Sequence, residues 1–306
     1  MTKGDILFGK RNTYLKRVAI APFDGLFSAH GMIFHPKEEV IDKRYFPFFI
    51  NSDAFMDEAI RISVGSLSPT VNWKDLKDLK FDIPPIEEQK QIADKLWIAY
   101  DLKSKYANLV ESIDEMVKSQ FIEMFGKSSL TIEMQECFSM IRNGANIKQG
   151  QVEGGFPITR IETISDETID RKKMGYAGII DNMYESYYLK EGDILVSHIN
   201  SLKHIGKCAL YCKQEDEIII HGMNLLCLRP IREIVVPTFA IHMLRSDIIK
   251  KQIADITKPA VNQASFSVRD FGGIKAIIPN IDEQNKFVAI AEQADKSKQI
   301  AFSRAS

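Results

Sequence analysis

Residues 83–96 read IPPIEEQKQIADKL and residues 278–291 read IPNIDEQNKFVAIA. Each copy holds an Ile-Pro, a second isoleucine, two acidic residues, a glutamine and an amphipathic run, and each part has its own structural reason. Pro84-Pro85 cannot comfortably continue a strand, proline suits a first helical turn, and Glu87 and Glu88 place negative charge at the positive end of a helix dipole. The phrase is therefore read as an internal repeat. Outward from it the match continues in order. Gly4-Asp5-Ile6-Leu7 answers Gly192-Asp193-Ile194-Leu195, Arg17–Ile20 answers Lys207–Leu210, and His30-Gly31-Met32 answers His221-Gly222-Met223. Ser52-Asp53 answers Ser246-Asp247, and Asp75 to Lys80 answers Asp270 to Lys275.

The two copies are unequal. The second has an opening segment from about Thr131, through MIRNGANIKQG and the tyrosine-rich YAGIIDNMYESYYLKE, with no counterpart before Gly4. GDILF, KRVAIA and GMIFH read as short strands between turn signals such as Phe23-Asp24-Gly25, with a helix over 45–62. From the Pro-Pro to Gly126 there is no breaker. Ile92, Leu96, Ala99, Leu102, Tyr106, Leu109, Ile113 and Val117 recur by threes and fours on one stripe. A helix of about 40 residues spans roughly 60 Å and is too long for one small core. It calls for an antiparallel partner helix, and the second copy, from Ile281 to about Phe302 with Phe287, Ile290, Ala291 and Ala294 on its apolar face, is the expected one.

The expected fold class is α+β, with two mixed α/β domains, the first incomplete, separated by long helices that form an antiparallel coiled coil. The expected boundaries are 1–82, a spacer helix at 83–126, 127–279, and a shortened helix at 280–306. Two globular units on a long helix suggest a ruler, and a DNA duplex contacted at two places is the natural object to measure.

Composition fits an ordinary globular chain of about two domains: 306 residues, 45% hydrophobic and 26% charged. The N-terminus MTKGDILFGKR lacks the apolar core of a signal peptide, and no run of about 18 apolar residues occurs. The cytoplasm is the expected compartment. Cys137, Cys208, Cys212 and Cys227 show no disulfide framework. GKCALYCK with His221 and Cys227 leaves a zinc site conceivable, but structural zinc sites usually bring C-x2-C pairs, so small core residues are the better reading and no metal is expected.

The net charge of −1 gives no global signature of nucleic-acid binding. Local charge says more. Met1 to Arg17 carries Lys3, Lys10, Arg11, Lys16 and Arg17 against Asp5, and His198 to Lys213 carries Lys203, Lys207 and Lys213 against no acid. Either cluster alone reads equally as solvated surface, yet both occupy the same slot of the repeat, as a phosphate-tracking face would.

At this point the residues resemble the specificity (S) subunit family of type I restriction-modification systems, HsdS. The phrase Pro84-Pro85-Ile86-Glu87-Glu88-Gln89 is similar to the opening of the family's conserved helical regions. FGKRNTYLKRVAIAPFDG with GSLSPTVNWKDL resembles the second half of a first target recognition domain, and GDILVSHINSLKHIGKCAL the corresponding part of a second. The resemblance covers nearly the whole chain. It departs in the absent opening half of the first domain and in the short final helix.

The resemblance implies a non-catalytic subunit that reads a bipartite site on double-stranded DNA. It also implies modification subunits, expected to be two, which methylate adenine with S-adenosylmethionine, and an ATP-driven, Mg-dependent restriction subunit. No cofactor is expected in this chain. The residues agree, since Asp82-Ile83-Pro84-Pro85-Ile86 only mimics the Asn/Asp-Pro-Pro-aromatic loop of an amino-methyltransferase, and no G-x-x-x-x-G-K-[ST] loop occurs. Glu88-Gln89-Lys90 has nuclease-like spacing but falls at a helix start, where it reads as solvent-facing.

For phosphate contacts the expected residues are Lys10, Arg11, Lys16, Arg17, Lys203 and Lys207. For base edges they are Asn200, Ser201, Asn262, Gln263 and Ser265, with Arg142, Asn143 and Lys148 from the opening loop of the second unit. Each alone reads as well as a turn residue. As a group they gain from HINSLKH and KPAVNQAS matching KRNTYLK and GSLSPTVN in the first unit, which extends the expectation to Asn72 and Ser68. The competing readings are a helical scaffold that binds modification subunits without reading a sequence, and a stand-alone enzyme. The incomplete first domain would be covered by a homodimer or by another chain.

Overall fold

The structure, a computed structural model, describes residues 1–128, 131–147, 154–260 and 263–305, and divides into two units, Met1–Ala107 and Asn108–Arg304. In the first unit, β1 (Ile6–Phe8), β2 (Val18–Ile20) and β3 (Met32–Phe34) form an antiparallel sheet of order β2-β1-β3. The helices α1 (Phe46–Ile50) and α2 (Asp53–Arg61) cover it, followed by α3 (Trp73–Leu76) and the start of α4 (Ile86–Phe125). Phe8, Phe34, Phe55, Met56 and Val71 form the centre of its core.

The second unit adds β4 (Thr131–Glu133), α5 (Met134–Cys137), β5 (Phe138–Asn143), β6 (Pro157–Ile158) and β7 (Gly175–Tyr176) before its copy of the repeat begins. That copy holds β8 (Ile194–Ser197), β9 (Ile199–Asn200), β10 (Cys208–Leu210) and β11 (Leu225–Pro230). It continues through α6 (Pro237–Arg245), α7 (Asp247–Ile256), β12 (Lys258–Pro259), β13 (Ala264–Ser265), α8 (Val268–Gly272), β14 (Lys275–Ile277) and α9 (Ile281–Ala305). Its main sheet has the order β10-β8-β11-β5.

The repeat is therefore structural and keeps its register. Ile6 pairs with Ile20 and Phe34 in the first unit, and Ile194 pairs with Leu210 and Leu228 in the second. The opening segment supplies what is extra: β5 pairs with the outer edge of β11, and β4 pairs with β14. In the first unit, among the described residues, no strand pairs with the outer edge of β3, and residues 80–82 form no strand.

The repeated glutamine explains the repeated phrase. Gln284 is fully buried; its Nε2 donates to Pro279 O at 2.8 Å and Ile234 O at 2.9 Å, and its Oε1 accepts from Val236 N at 2.9 Å. Gln89 does the same in the first unit, donating to Pro84 O at 2.7 Å and Val40 O at 3.3 Å and accepting from Asp42 N at 2.8 Å. An amide carries both donors and acceptors, so one side chain closes three backbone groups that would otherwise be buried unpaired. Each glutamine ties the first turn of a long helix to the loop entering the preceding helical layer. Ser52 and Ser246 are likewise equivalent, each capping α2 or α7 by accepting from Phe55 N or Ile249 N.

Three expectations change. The predicted helix over 45–62 is two helices, because Ser52 turns extended and caps a new start. The match of His30-Gly31-Met32 to His221-Gly222-Met223 is displaced by an insertion: Met32 pairs with Phe8, whereas the equivalent partner of Val196 is Leu226. The apolar stripe of α4 is also divided. Ile113 and Val117 join the second core with Phe287, and Lys298 reaches Asp114 at 2.8 Å, which makes α9 antiparallel to this end of α4. The strongest contacts are Phe121 and Phe125, whose rings lie 5.4 and 5.9 Å from Phe287. Ile290 is half-buried on α9, as are Ile92 and Tyr106 on α4. Leu96, Ala99, Leu102 and Leu109 are exposed.

Among the described residues no cluster of three or more His, Cys, Asp or Glu is placed to hold a metal, and no helix is long and apolar enough to cross a membrane. Cys208 and Cys227 are buried, with thiols pushed up by desolvation, whereas Cys212 is exposed.

Candidate nucleic-acid interface

In the second unit the two loops singled out in the sequence meet. β9 leaves the end of β8 and pairs with β13, which pairs with β12, giving a small antiparallel sheet of order β12-β13-β9. Ala264 lies opposite Asn200, Ser265 opposite Ile199, and Lys258 opposite Ser265. Ala260 N donates to Gln263 O at 2.7 Å and closes the hairpin, and Phe266 N donates to His198 O at 3.2 Å beneath it. Ser201, Gln263 and Ser265 are exposed. Asn143 pairs with Leu226, which pairs with Val196, so the end of β5 leaves the main sheet at the same end as β9, two strand spacings or roughly 10 Å across.

The face is stiff. Asn200 Nδ2 donates to Ser197 Oγ at 3.1 Å and its Oδ1 accepts from Ser201 N at 2.8 Å. His204 N and Ile205 N both donate to Ser201 O, and Gly206 N donates to Ser197 O at 2.7 Å. Gly206 has φ +77, and a Cβ there would stand 3.2 Å from Ile253, so the loop closes tightly against α7. Under the sheet, burial pushes the His198 imidazole down to about 4, so the ring is neutral near pH 7 and packs against Phe266 at 6.2 Å.

The predicted cations separate by what they already hold. Lys203 is exposed and makes no ion pair among the described residues, as does Lys258, which sequence reasoning missed. Lys207 is half-buried and donates to Ser165 O at 2.6 Å, so it braces the loop. Arg142 lies 3.7 Å from the centre of the Tyr187 ring and donates to Ser186 O at 3.3 Å; it braces the tyrosine-rich segment, while Asn143 beside it is exposed. Lys148 and Asn262 lie outside the described residues.

The first unit builds the same edge. Arg11 bridges Thr70, Thr70 bridges Val64, and Val71 N donates to Lys10 O at 3.0 Å, the counterpart of Phe266 N to His198 O. Lys16 is held by Asp53 at 2.7 Å and Asp57 at 3.2 Å, and the Asp53 hydrogen bond raises its pKa. Arg17 donates to Arg11 O at 2.8 Å. Both brace the loop, which leaves Arg11, with one long contact to Ser68 Oγ at 3.4 Å, and half-buried Lys10 as the cations of this loop that make no ion pair among the described residues. Since Thr70 occupies the place of Ser265, Asn72 stands where Ser267 stands. Ser267 caps α8, and Asn72 begins α3, so Asn72 is at a helix start and off the sheet. The shared letters VN in GSLSPTVN and KPAVNQAS hid this offset, and with it Lys258.

Comparison with known proteins agrees with this architecture. The profile of the type I restriction modification DNA specificity domain matches residues 1–111. A Methanocaldococcus jannaschii protein assigned as the MjaX type I restriction enzyme specificity subunit is 42% identical over 164 residues, 53% of this chain and 38% of that protein. The EcoKI specificity subunit of Escherichia coli is 23% identical over 296 residues, 89% of this chain and 62% of its own length. The chain thus spans between about a third and two thirds of these relatives. Among solved structures, an S subunit from M. genitalium superposes with a TM-score of 0.56 at 15% identity, covering 100% of this chain and 79% of that one. A chain from a study of assembly and conformational transition of the type I R-M system gives 0.59 at 18%, covering 100% and 78%. Residues 1–111 thus match the type I restriction modification DNA specificity domain, and the chain as a whole is similar in sequence and fold to specificity subunits of such systems.

Proposed function

We propose that this chain is a DNA-reading subunit of a type I restriction-modification assembly, each unit reading one half of a bipartite site through its three-stranded edge. One observation supports the reading: three segments pair at the same slot in both units, as a small sheet in the second and as single bridges through Thr70 in the first, and both carry polar side chains and cations that make no ion pair among the described residues. Lys203, Lys258, Arg11 and Lys10 would hold phosphates, and Ser201, Gln263, Ser265 and Asn143 would meet base edges. The chain itself would be non-catalytic and work in the cytoplasm. Methyl transfer would come from modification subunits carrying S-adenosylmethionine, expected to be two and to dock on the helical regions, and cleavage from a restriction subunit using ATP and Mg.

A second reading, a scaffold that binds modification subunits without its own readout, is favoured by the outer edge of β3, which pairs with no strand among the described residues, and by residues 80–82, which form no strand where the second unit has β14. A homodimer or another chain would cover those edges. The test is to combine the purified chain with the modification subunit of its own system and map methylated adenines. Methylation at one bipartite motif that depends on the chain supports the reader; methylation without motif preference supports the scaffold; methyl transfer by the chain alone defeats both.

A further inference from the structure

Leu202 stands out on the candidate interface. It is 67% exposed, belongs to none of the hydrophobic clusters, and sits on the Asn200–Gly206 turn, whose backbone is fixed at both ends by the Ser197 contacts. It lies between Ser201 and Lys203, a cation that makes no ion pair among the described residues. A single exposed leucine is ordinary, but the repeat supplies a second instance. In the first unit the turn that follows the equivalent strand carries Tyr14, 55% exposed, on the 3-10 turn Thr13–Leu15. Both copies thus hold a large, mostly exposed side chain on the turn after the first strand, a leucine in the second unit and, in the first, a tyrosine whose ring is apolar and whose hydroxyl is polar. Both side chains are mostly exposed and contribute little to the core, and a preorganised tip beside the cations proposed to hold phosphates is suited to a groove.

We propose that Leu202 is a specificity-determining residue that packs against the C5-methyl of a thymine in the major groove. The inference rests on the reading of the chain as a DNA reader. Of the groups on base edges, the thymine methyl is the one apolar feature of the major groove, and an aliphatic side chain with no hydrogen-bonding group can discriminate there in no other way. Ser201 and Gln263 would read the polar edges around it. Tyr14 would play the matching part in the first unit.

The test begins with duplexes selected by the full chain from a random pool, followed by replacement of each thymine of the enriched motif by deoxyuracil, one at a time. Affinity is then measured for the native chain and for Leu202→Ala. Removing one buried methyl is expected to weaken the native chain about fourfold at a single thymine, and Leu202→Ala is expected to lose the response to that substitution. Lys203→Ala serves as the contrast, weakening thymine and uracil duplexes alike. Leu202→Ala is expected to melt close to the native chain, because the side chain is 67% exposed and lies outside the hydrophobic clusters. If Leu202→Ala keeps the full thymine response, or if it alters DNA bending while uracil is silent, the methyl contact is wrong and the DNA-reading function stands. If no motif is enriched, the DNA-reading function itself fails and the inference with it.

Discussion

Replacing Gln284 by glutamate changes one atom and should unmake the joint that the repeated phrase encodes. The native amide makes three hydrogen bonds inside the protein, two as donor to Ile234 O and Pro279 O and one as acceptor from Val236 N. Gln284→Ala removes all three, and at roughly 1 kcal/mol each the expected loss is about 3 kcal/mol. Gln284→Glu keeps the acceptor but turns both donor contacts into contacts between oxygens, and it buries a charge without a cation. We expect a loss on the order of 4 kcal/mol near neutral pH, more than the alanine, although glutamate preserves the shape. The folded carboxyl would hold its proton to a higher pH than the unfolded one, so the deficit relative to the native chain should shrink as pH falls. Hydrogen exchange of the peptide covering Val236 to Arg245, with urea unfolding at two pH values, reads both effects. Gln89→Glu is the parallel test, followed through Trp97, whose Nε1 donates to Arg44 O at 2.9 Å in the same unit. Were Gln284→Glu as stable as the native chain at neutral pH, the glutamine would not be the anchor described.

Other outcomes follow from the same geometry. Ser52→Ala and Ser246→Ala should each cost about 1 kcal/mol by removing a helix cap, measured by urea titration. Burial holds His198, His221 and His242 at about 4, below their ordinary 6.5. The unfolded chain therefore takes up protons that the folded chain refuses, and stability should fall as pH drops from about 6.5 toward 4, by on the order of 1–3 kcal/mol per histidine, a trend that calorimetry across that range would show. Lys203→Ala and Lys258→Ala should each lower the salt dependence of DNA affinity by about 0.9 in the logarithmic slope, whereas Lys207→Ala should act mainly through stability.

Much of the fold was legible because the repeated phrase, the capping serines and the strand runs each have a local cause. Gln89 and Gln284 could be seen to recur, but their partners 47 to 50 positions earlier, at Val40, Asp42, Ile234 and Val236, belong to tertiary structure. The candidate interface was legible as a pair of loops and illegible as a set of free charges. Lys16, Arg17 and Lys207 read like Lys203 in the sequence, and only folding supplies the carboxylates and carbonyls that engage them. Short turns also mislead alignment. The shared HGM and VN letters suggested equivalences that strand pairing displaces, because turn residues recur for conformational reasons that carry no register. The stripe on α4 was correctly periodic, but periodicity does not say which of its positions are buried, and Val117 is while Leu96 and Leu102 are not.

The central claim is that the small sheet reads sequence, and selection of duplexes by the full chain compared with a Gln263→Ala, Ser265→Ala variant tests it most directly. The account predicts that the native chain enriches one motif and that the variant enriches a motif relaxed at a base pair or two of one half-site while the other half-site is kept. An unchanged motif would place the reading elsewhere on the protein, and no enrichment by the native chain would contradict sequence reading altogether.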